Sequence, residues 1–320
     1  MFRTLRYIVG DSFHRYLKQE GLFRTLGIIR RRLTYRVKRY VYEGIYLPVF
    51  RMGAKPTRKQ LKFAVHLTDH CNLNCAECSH FAPLAEEFFL DLETFRRDTQ
   101  RIAKLFDGKI EAMYLMGGEP LLHPKVEEFF TAAREAFPDA SKAPVELVTN
   151  GLLLNGKDDG FWRSCSENKI AVVVTVYPCM EEQFRRAKAK GASFGVEVRP
   201  FSDFEGADQK RFYHFGIDLE GKGSAMLNFA YCHSGNECIV LRNGRLYTCT
   251  SAAYVHLFNK YFEKSVPVTD KDSIDIYTAG NGREILRFLA RPIPFCRFCK
   301  IDECAAPWRI SKREISEWSA

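Results

Sequence analysis

HLTDHCNLNCAECSH, residues 66–80, carries Cys71, Cys75 and Cys78 in a C-x3-C-x2-C run. A closed structural zinc site takes four ligands, and disulfides consume cysteines in pairs. Zinc would therefore need His70 or His80 as a fourth donor. Thiolates are soft ligands that select iron–sulfur clusters, zinc or copper. A four-iron cluster has four corner irons, so three protein thiolates leave one corner open to a small chelating molecule. Upstream, Phe63, Val65 and Leu67 alternate in a short strand that runs into the cysteines. Downstream, residues 91–106 predict a helix. The thiols thus sit where a strand hands over to a helix.

The same rhythm continues along the chain. EAMYLMGGEP (111–120) reads as a strand ending in glycines, and 124–136 as a helix. VELVTNG (145–151) is a strand with a turn, IAVVVTVY (170–177) a wholly apolar strand, 180–190 a charged helix and FGVEVRP (194–200) another strand. Alternation of this kind predicts parallel strands with right-handed crossovers. A continuous apolar strand suits a sheet covered on both faces. The expected fold class is α/β, an open or closed β/α barrel with its site at the C-terminal ends of the strands. The cysteine run, Gly117-Gly118-Glu119-Pro120, Thr149-Asn150-Gly151, Thr175 and Arg199 all fall at such ends.

C-x3-C-x2-C after the first strand, with GGEP after the second, resembles the radical S-adenosylmethionine (radical SAM) superfamily. The resemblance spans residues 62–202 and implies a partial (β/α)6 barrel. It implies that Cys71, Cys75 and Cys78 hold a [4Fe-4S] cluster whose fourth iron is chelated by S-adenosylmethionine. In that family, reduction of the cluster cleaves the sulfonium, and the resulting 5′-deoxyadenosyl radical abstracts a substrate hydrogen. Gly117, Gly118, Glu119 and Pro120 would border the methionine amino group, glycine allowing close backbone approach. Thr149 and Asn150 match the family's third-strand motif, and Thr175 is the expected ribose contact. One position departs from the pattern: Glu77 stands where the family carries an aromatic residue near adenine, with Phe81 as the substitute.

Past residue 230 the rhythm changes. CIVLRNGRLYTCT (238–250) has two β-rich runs around Asn243-Gly244, a hairpin signal. A helix is expected over 281–290, and CRFCKIDEC (296–304) follows. Cys232-x11-Gly244-x4-Cys249, with Cys296-x2-Cys299 later, resembles the twitch appendage, the shorter relative of the SPASM domain. That implies a second four-iron cluster on Cys232, Cys249, Cys296 and Cys299, with Cys238 or Cys304 as substitutes; zinc on the same thiols is the alternative. Cys165 reads as a buried small residue and Cys179 as a strand-end residue. The expected organisation is a helical arm (1–60), a core barrel (61–230) and a cluster-binding appendage (231–320).

Charge sets the arm apart. Residues 1–60 hold 15 Lys and Arg against 3 acids, a net +12, and the remainder carries −3, giving the chain's +9. Leu22, Leu26, Ile29, Leu33, Val37 and Val41 fall on one helical face among arginines. Such a helix suits an anionic membrane surface or a negatively charged substrate; a packed helix with a solvated basic face is the structural alternative. No nucleic-acid module follows it. No apolar run reaches the ~18 residues of a membrane span, no signal peptide is apparent, and 11 clustered cysteines suit a reducing compartment. A cytoplasmic enzyme, peripheral to the membrane through its arm, is the expectation.

The resemblance implies an enzyme that draws electrons from a donor such as flavodoxin or ferredoxin. It would act on a small polar molecule or a carbohydrate, oxidising it with the second cluster as electron acceptor. A redox-neutral epimerase using Cys179, Cys238 or Cys304 as hydrogen donor, and a maturase of a ribosomally made peptide, are the alternatives; a glycyl-radical activase and a non-catalytic scaffold complete the set. His123, Tyr177, Arg199 and Asp203 are candidate pocket residues, each equally readable as a structural polar group.

Overall fold

The computed structural model describes residue 55 and residues 57–178, 180–201 and 211–319, with the backbone alone for 211–215 and 301–306. The basic arm falls almost wholly outside the described residues, as do Cys179 and Asp203.

Five strands and four helices alternate through the first two thirds: β1 (Lys62–Thr68), α1 (Leu92–Leu105), β2 (Ala112–Gly117), α2 (Val126–Ala136), β3 (Val145–Thr149), α3 (Asp159–Glu167), β4 (Ile170–Val174), α4 (Glu181–Ser193) and β5 (Val198–Pro200). β1 to β5 pair in parallel in sequence order. Local chemistry fixes the helix starts. Asp91 caps α1 by accepting from Thr94 N at 2.8 Å, and Asp158 caps α3 by accepting from Phe161 N at 3.0 Å. α3 shows only a short apolar pattern, which is why the sequence does not announce it.

The expected barrel carries six strands, and the structure supplies the sixth from an unexpected place. β6 (Arg211–Ile217) does not extend the sheet beyond β5; it pairs antiparallel with β10 (Cys299–Pro307) in a separate two-stranded sheet. The sixth parallel strand is β7 (Val240–Arg242), which lies against the other side of β1. β8 (Arg245–Tyr247) and β9 (Ser273–Asp275) follow antiparallel, giving the order β5-β4-β3-β2-β1-β7-β8-β9. β7 belongs in a covered position because Ile239, Val240 and Leu241 form a continuous apolar run. The Asn243-Gly244 turn is as expected, both residues having positive φ (50° and 71°), the requirement of a tight hairpin. The hairpin is thus an extension of the central sheet rather than part of a detached module.

Side-chain parity separates the two faces. Phe63, Val65 and Leu67, with Met113, Leu115, Val145, Leu147, Val172 and Val174, enter the main core with Phe95 and Ile102 of α1 and Phe129 and Phe130 of α2. The opposite face carries Ala64, His66 and Thr68, then Tyr114 and Met116, Glu146, Ala171 and Arg199 across the register. At the β1–β7–β8 end this face is covered by α6 (Thr250–Phe262), which joins a second core with Phe81, Val240, Phe258 and Trp318. At the β2–β5 end Tyr114, Met116, Glu146, Ala171 and Arg199 stay only partly covered. α5 (Ala225–Tyr231) and α7 (Gly282–Leu289) complete the C-terminal region.

Candidate functional site

The cysteine loop leaves the end of β1 and is held from three sides. From β2, Gly118 N donates to Thr68 O (2.9 Å) and Glu119 N to His70 O (3.0 Å). The two glycines are a consequence of that approach: a Cβ on Gly117 would strike Thr68 O, and one on Gly118 would strike His70 O. Gly117 also has φ +152°, which only glycine adopts readily. GGEP is therefore first a close-packing device that fixes where the cysteine loop begins.

Glu119 ties this corner to β3. Its side chain is fully buried. Oε1 accepts from Thr149 Oγ1 (2.7 Å) and Leu121 N (3.0 Å), and Oε2 accepts from Asn150 N (2.8 Å). Burial pushes the carboxyl above its ordinary range, and the bonds from Asn150, Thr149 and Leu121 act against that. Asn150 carries the brace onward: its Nδ2 donates to Asn72 Oδ1 at 2.8 Å and lies 3.7 Å from Cys71 Sγ. Three of the expected cofactor contacts, Glu119, Thr149 and Asn150, thus satisfy one another and the loop. Pro120 opens a buried 3₁₀ turn, and Thr175, half-buried just past β4, gives its N–H to Thr149 O.

The third support was not foreseen. The C-terminal segment lies along the loop, with Ala76 N donating to Arg309 O (3.0 Å) and Ser311 N to Asn74 O (2.8 Å). Trp308 Nε1 donates to Cys75 Sγ at 3.1 Å, and Trp318 Nε1 to Cys78 O at 2.9 Å. Glu77, where an aromatic was expected, lies 3.4 Å from Arg309 in an ion pair. Phe81 does not substitute for it: its ring is 2% exposed and packs against Phe258 and Trp318. Tyr177 lies beside Cys75, its hydroxyl 3.7 Å from the sulfur. His123 is structural, one ring nitrogen bonded to Leu90 O (3.1 Å), the other accepting from Lys125 N (3.1 Å).

The three thiols share one electrostatic environment. Burial pushes Cys71 up to about 12, with Glu119, Cys78 and Cys75 adding to the shift. Burial likewise lifts Cys78 to about 11, and Cys75 adds. Neutral sulfurs so placed become thiolates only when a cation takes the protons' place. Among the described residues no group of three or more His, Cys, Asp and Glu side chains converges as the ligands of a single ion. A four-iron cube binds its thiolates on different corners, so it does not require that convergence. Three soft donors with no carboxylate or imidazole among them fit such a cluster.

A second group of thiols lies in the C-terminal region. Cys249 stands at the N-cap of α6, Cys296 lies within the 3₁₀ turn Pro294–Phe298, and Cys299 caps its end. Asn228 of α5 binds that turn from below, its Nδ2 donating to Cys296 O (2.8 Å) and Cys299 O (2.6 Å). Cys232 follows α5, its sulfur accepting from Gly235 N at 3.2 Å, and Lys55 Nζ donates to Cys232 O. Burial raises Cys249 and Cys299 well above the usual thiol range, and each also feels Cys296 and Cys232. The positive end of α6 works in the other direction at Cys249, and burial outweighs it. Cys238 is exposed, and its charge also acts on Cys249. Cys165 is fully buried in the main core, as expected. The side chain of Cys304 lies outside the described residues.

Comparison with known proteins fits this arrangement. Residues 65–177 match the family model described as Radical SAM superfamily. The chain carries a radical SAM domain and is an enzyme, with S-adenosylmethionine and a [4Fe-4S] cluster as that domain's cofactors. No curated protein matches. Solved structures similar to it include BtrN in complex with AdoMet and 2-DOIA, at 14% identity and TM-score 0.44 over 76% of this chain and 97% of that one. Native anSMEcpe with bound AdoMet gives 14% identity and TM-score 0.45 over 74% and 83%. Its complex with AdoMet and the Cp18Cys peptide matches at 21% identity and TM-score 0.35, over only 44% of this chain and 42% of that one. At these scores none of them bears on substrate. Among the described residues no helix is long and apolar enough to cross a membrane.

Proposed function

We propose that the protein oxidises a small polar or carbohydrate substrate by radical chemistry, with a second cluster in the C-terminal thiol group. Cys71, Cys75 and Cys78 would hold the first [4Fe-4S] cluster, and Cys232, Cys249, Cys296 and Cys299 the second. When bound, the first cluster and S-adenosylmethionine supply one-electron cleavage of the sulfonium and a carbon-centred radical that takes a substrate hydrogen. A second cluster supplies a destination for the electron that oxidation then releases.

The observation that carries this reading is the second thiol group. Cys249, Cys296 and Cys299 lie close enough to Cys232 to feel its charge, and Asn228 and Lys55 hold the backbone carbonyls of Cys296, Cys299 and Cys232. Cys249 and Cys296 also belong to the second core, and four thiols gathered from separate segments suit a metal cluster. Support for a polar substrate comes from the β2–β5 face, only partly covered among the described residues. It presents Tyr114 and Glu146, and Arg199 Nη2 lies 2.7 Å from Glu146 Oε2. A polar ligand can exchange with those groups where an apolar one would strand them. In this scheme Glu119, Thr149 and Asn150 hold the cysteine loop, while Thr175 is the strand-end hydroxyl offered to the cofactor.

The test is iron and labile sulfide after anaerobic reconstitution of the wild type and a Cys71/Cys75/Cys78→Ala variant. About four irons are expected to survive in the variant. Iron falling to zero would remove the second cluster, and redox-neutral epimerisation would become the better account.

A further inference from the structure

The three cysteines of the loop are not equivalent. Cys75 Sγ receives the indole N–H of Trp308 at 3.1 Å, from a residue 233 positions further along the chain. Cys75 is 5% exposed, and the indole is itself part-buried against the main core, its ring 5.5 Å from that of Tyr177. The strand-like contact Cys75–Ile310, with the Ala76–Arg309 and Ser311–Asn74 bonds on either side, fixes the backbone that carries the indole. Among the described residues Cys71 accepts the Leu73 backbone N–H at 3.3 Å and has a long contact from Asn150, and the bonds to Cys78 come from the backbone of His80, Phe81 and Ala82. Among the described residues Cys75 thus has the shortest side-chain hydrogen bond to a loop sulfur, 3.1 Å from Trp308 against 3.7 Å from Asn150 to Cys71, and its donor comes from the more distant segment.

We propose that Trp308 is a positioning residue that sets the reduction potential of the first cluster through its hydrogen bond to Cys75. The inference rests on the reading of Cys71, Cys75 and Cys78 as cluster ligands. A cluster gains negative charge on reduction, and part of that charge sits on its sulfurs. A donor aimed at one of them stabilises the reduced form more than the oxidised form, so the potential rises. Such bonds are strongest where water is excluded, and here the indole and the C-terminal segment exclude it. Trp308 thereby makes the first cluster easier to reduce, and it does so only when the C-terminal segment is docked.

The experiment replaces Trp308 in the full chain with 3-benzothienylalanine, which keeps the bicyclic shape and puts sulfur in place of the N–H. Trp308→Phe serves as the coarser variant. After anaerobic reconstitution, each protein is titrated potentiometrically and followed by electron paramagnetic resonance, using the four-iron signal that changes when S-adenosylmethionine is added. The expected result is a reduced-to-oxidised ratio about tenfold lower at a fixed potential in the isostere, a midpoint about 59 mV more negative, with iron content unchanged. An isostere that titrates with the wild type overturns the proposal while leaving the cluster assignment intact. A wild type with no signal responsive to S-adenosylmethionine overturns the assignment and the proposal together. If Trp308→Phe loses iron through poor packing, the isostere still decides.

Discussion

Gly118 shows how a motif read for its chemistry can be required first by packing. Its Cα faces His70 O so closely that no side chain fits, and neither partner is the flexible end of a side chain. Gly118→Ala is expected to destabilise the protein by about 3 kcal/mol or more, read as a lower thermal midpoint in the metal-free protein. A midpoint equal to wild type would show that the β1–β2 corner yields easily. At this scale the cysteines and glycines were legible in the sequence, because spacing and residue type alone specify them. The partnership of Glu119 with Thr149 and Asn150 was not. It depends on β2 and β3 being neighbours with their ends level, which no local pattern encodes. Phe81 was misread for a similar reason: proximity in sequence to Cys78 says nothing about which core its ring enters.

Among the elements, α5 matters most to the second thiol group. It is a seven-residue helix started by Ser224, whose hydroxyl accepts from Leu227 N at 3.4 Å. On it, Asn228 holds two carbonyls of the Cys296–Cys299 turn at once. Asn228→Ala would strand both and loosen the turn, a loss of about 2 kcal/mol. The expected outcome is a drop in iron at the second site with the signal responsive to S-adenosylmethionine retained. Equal loss at both sites would mean that Asn228 supports the whole fold instead. The β/α alternation was readable from apolar periodicity, and the hairpin from Asn243-Gly244. The destination of the hairpin was not readable. An apolar run such as Ile239–Leu241 says that a strand is buried on both faces, but leaves open which sheet buries it.

Across the whole molecule, the join between β1 and β7 is sealed by a buried ion pair. Arg242 meets Asp69 through two bonds of 2.8 Å, the carboxylate 4% exposed and the guanidinium 17%. The guanidinium also lies 4.6 Å from the centre of the Tyr254 ring of α6. Removing one partner leaves the other buried and uncompensated, so Arg242→Met is expected to cost about 3–5 kcal/mol. The measurement is chemical denaturation, and a change below about 1 kcal/mol would mean that the site is wetter than its burial suggests. The C-terminal segment has a consequence in time rather than in space. Cys75 leaves the ribosome 233 residues before the indole that binds it. During synthesis the first three thiols therefore exist as an unshielded loop, open to whatever machinery delivers iron and sulfide. Docking of residues 308–318 closes that interval, so loading before docking and loading after it are different reactions with different rates.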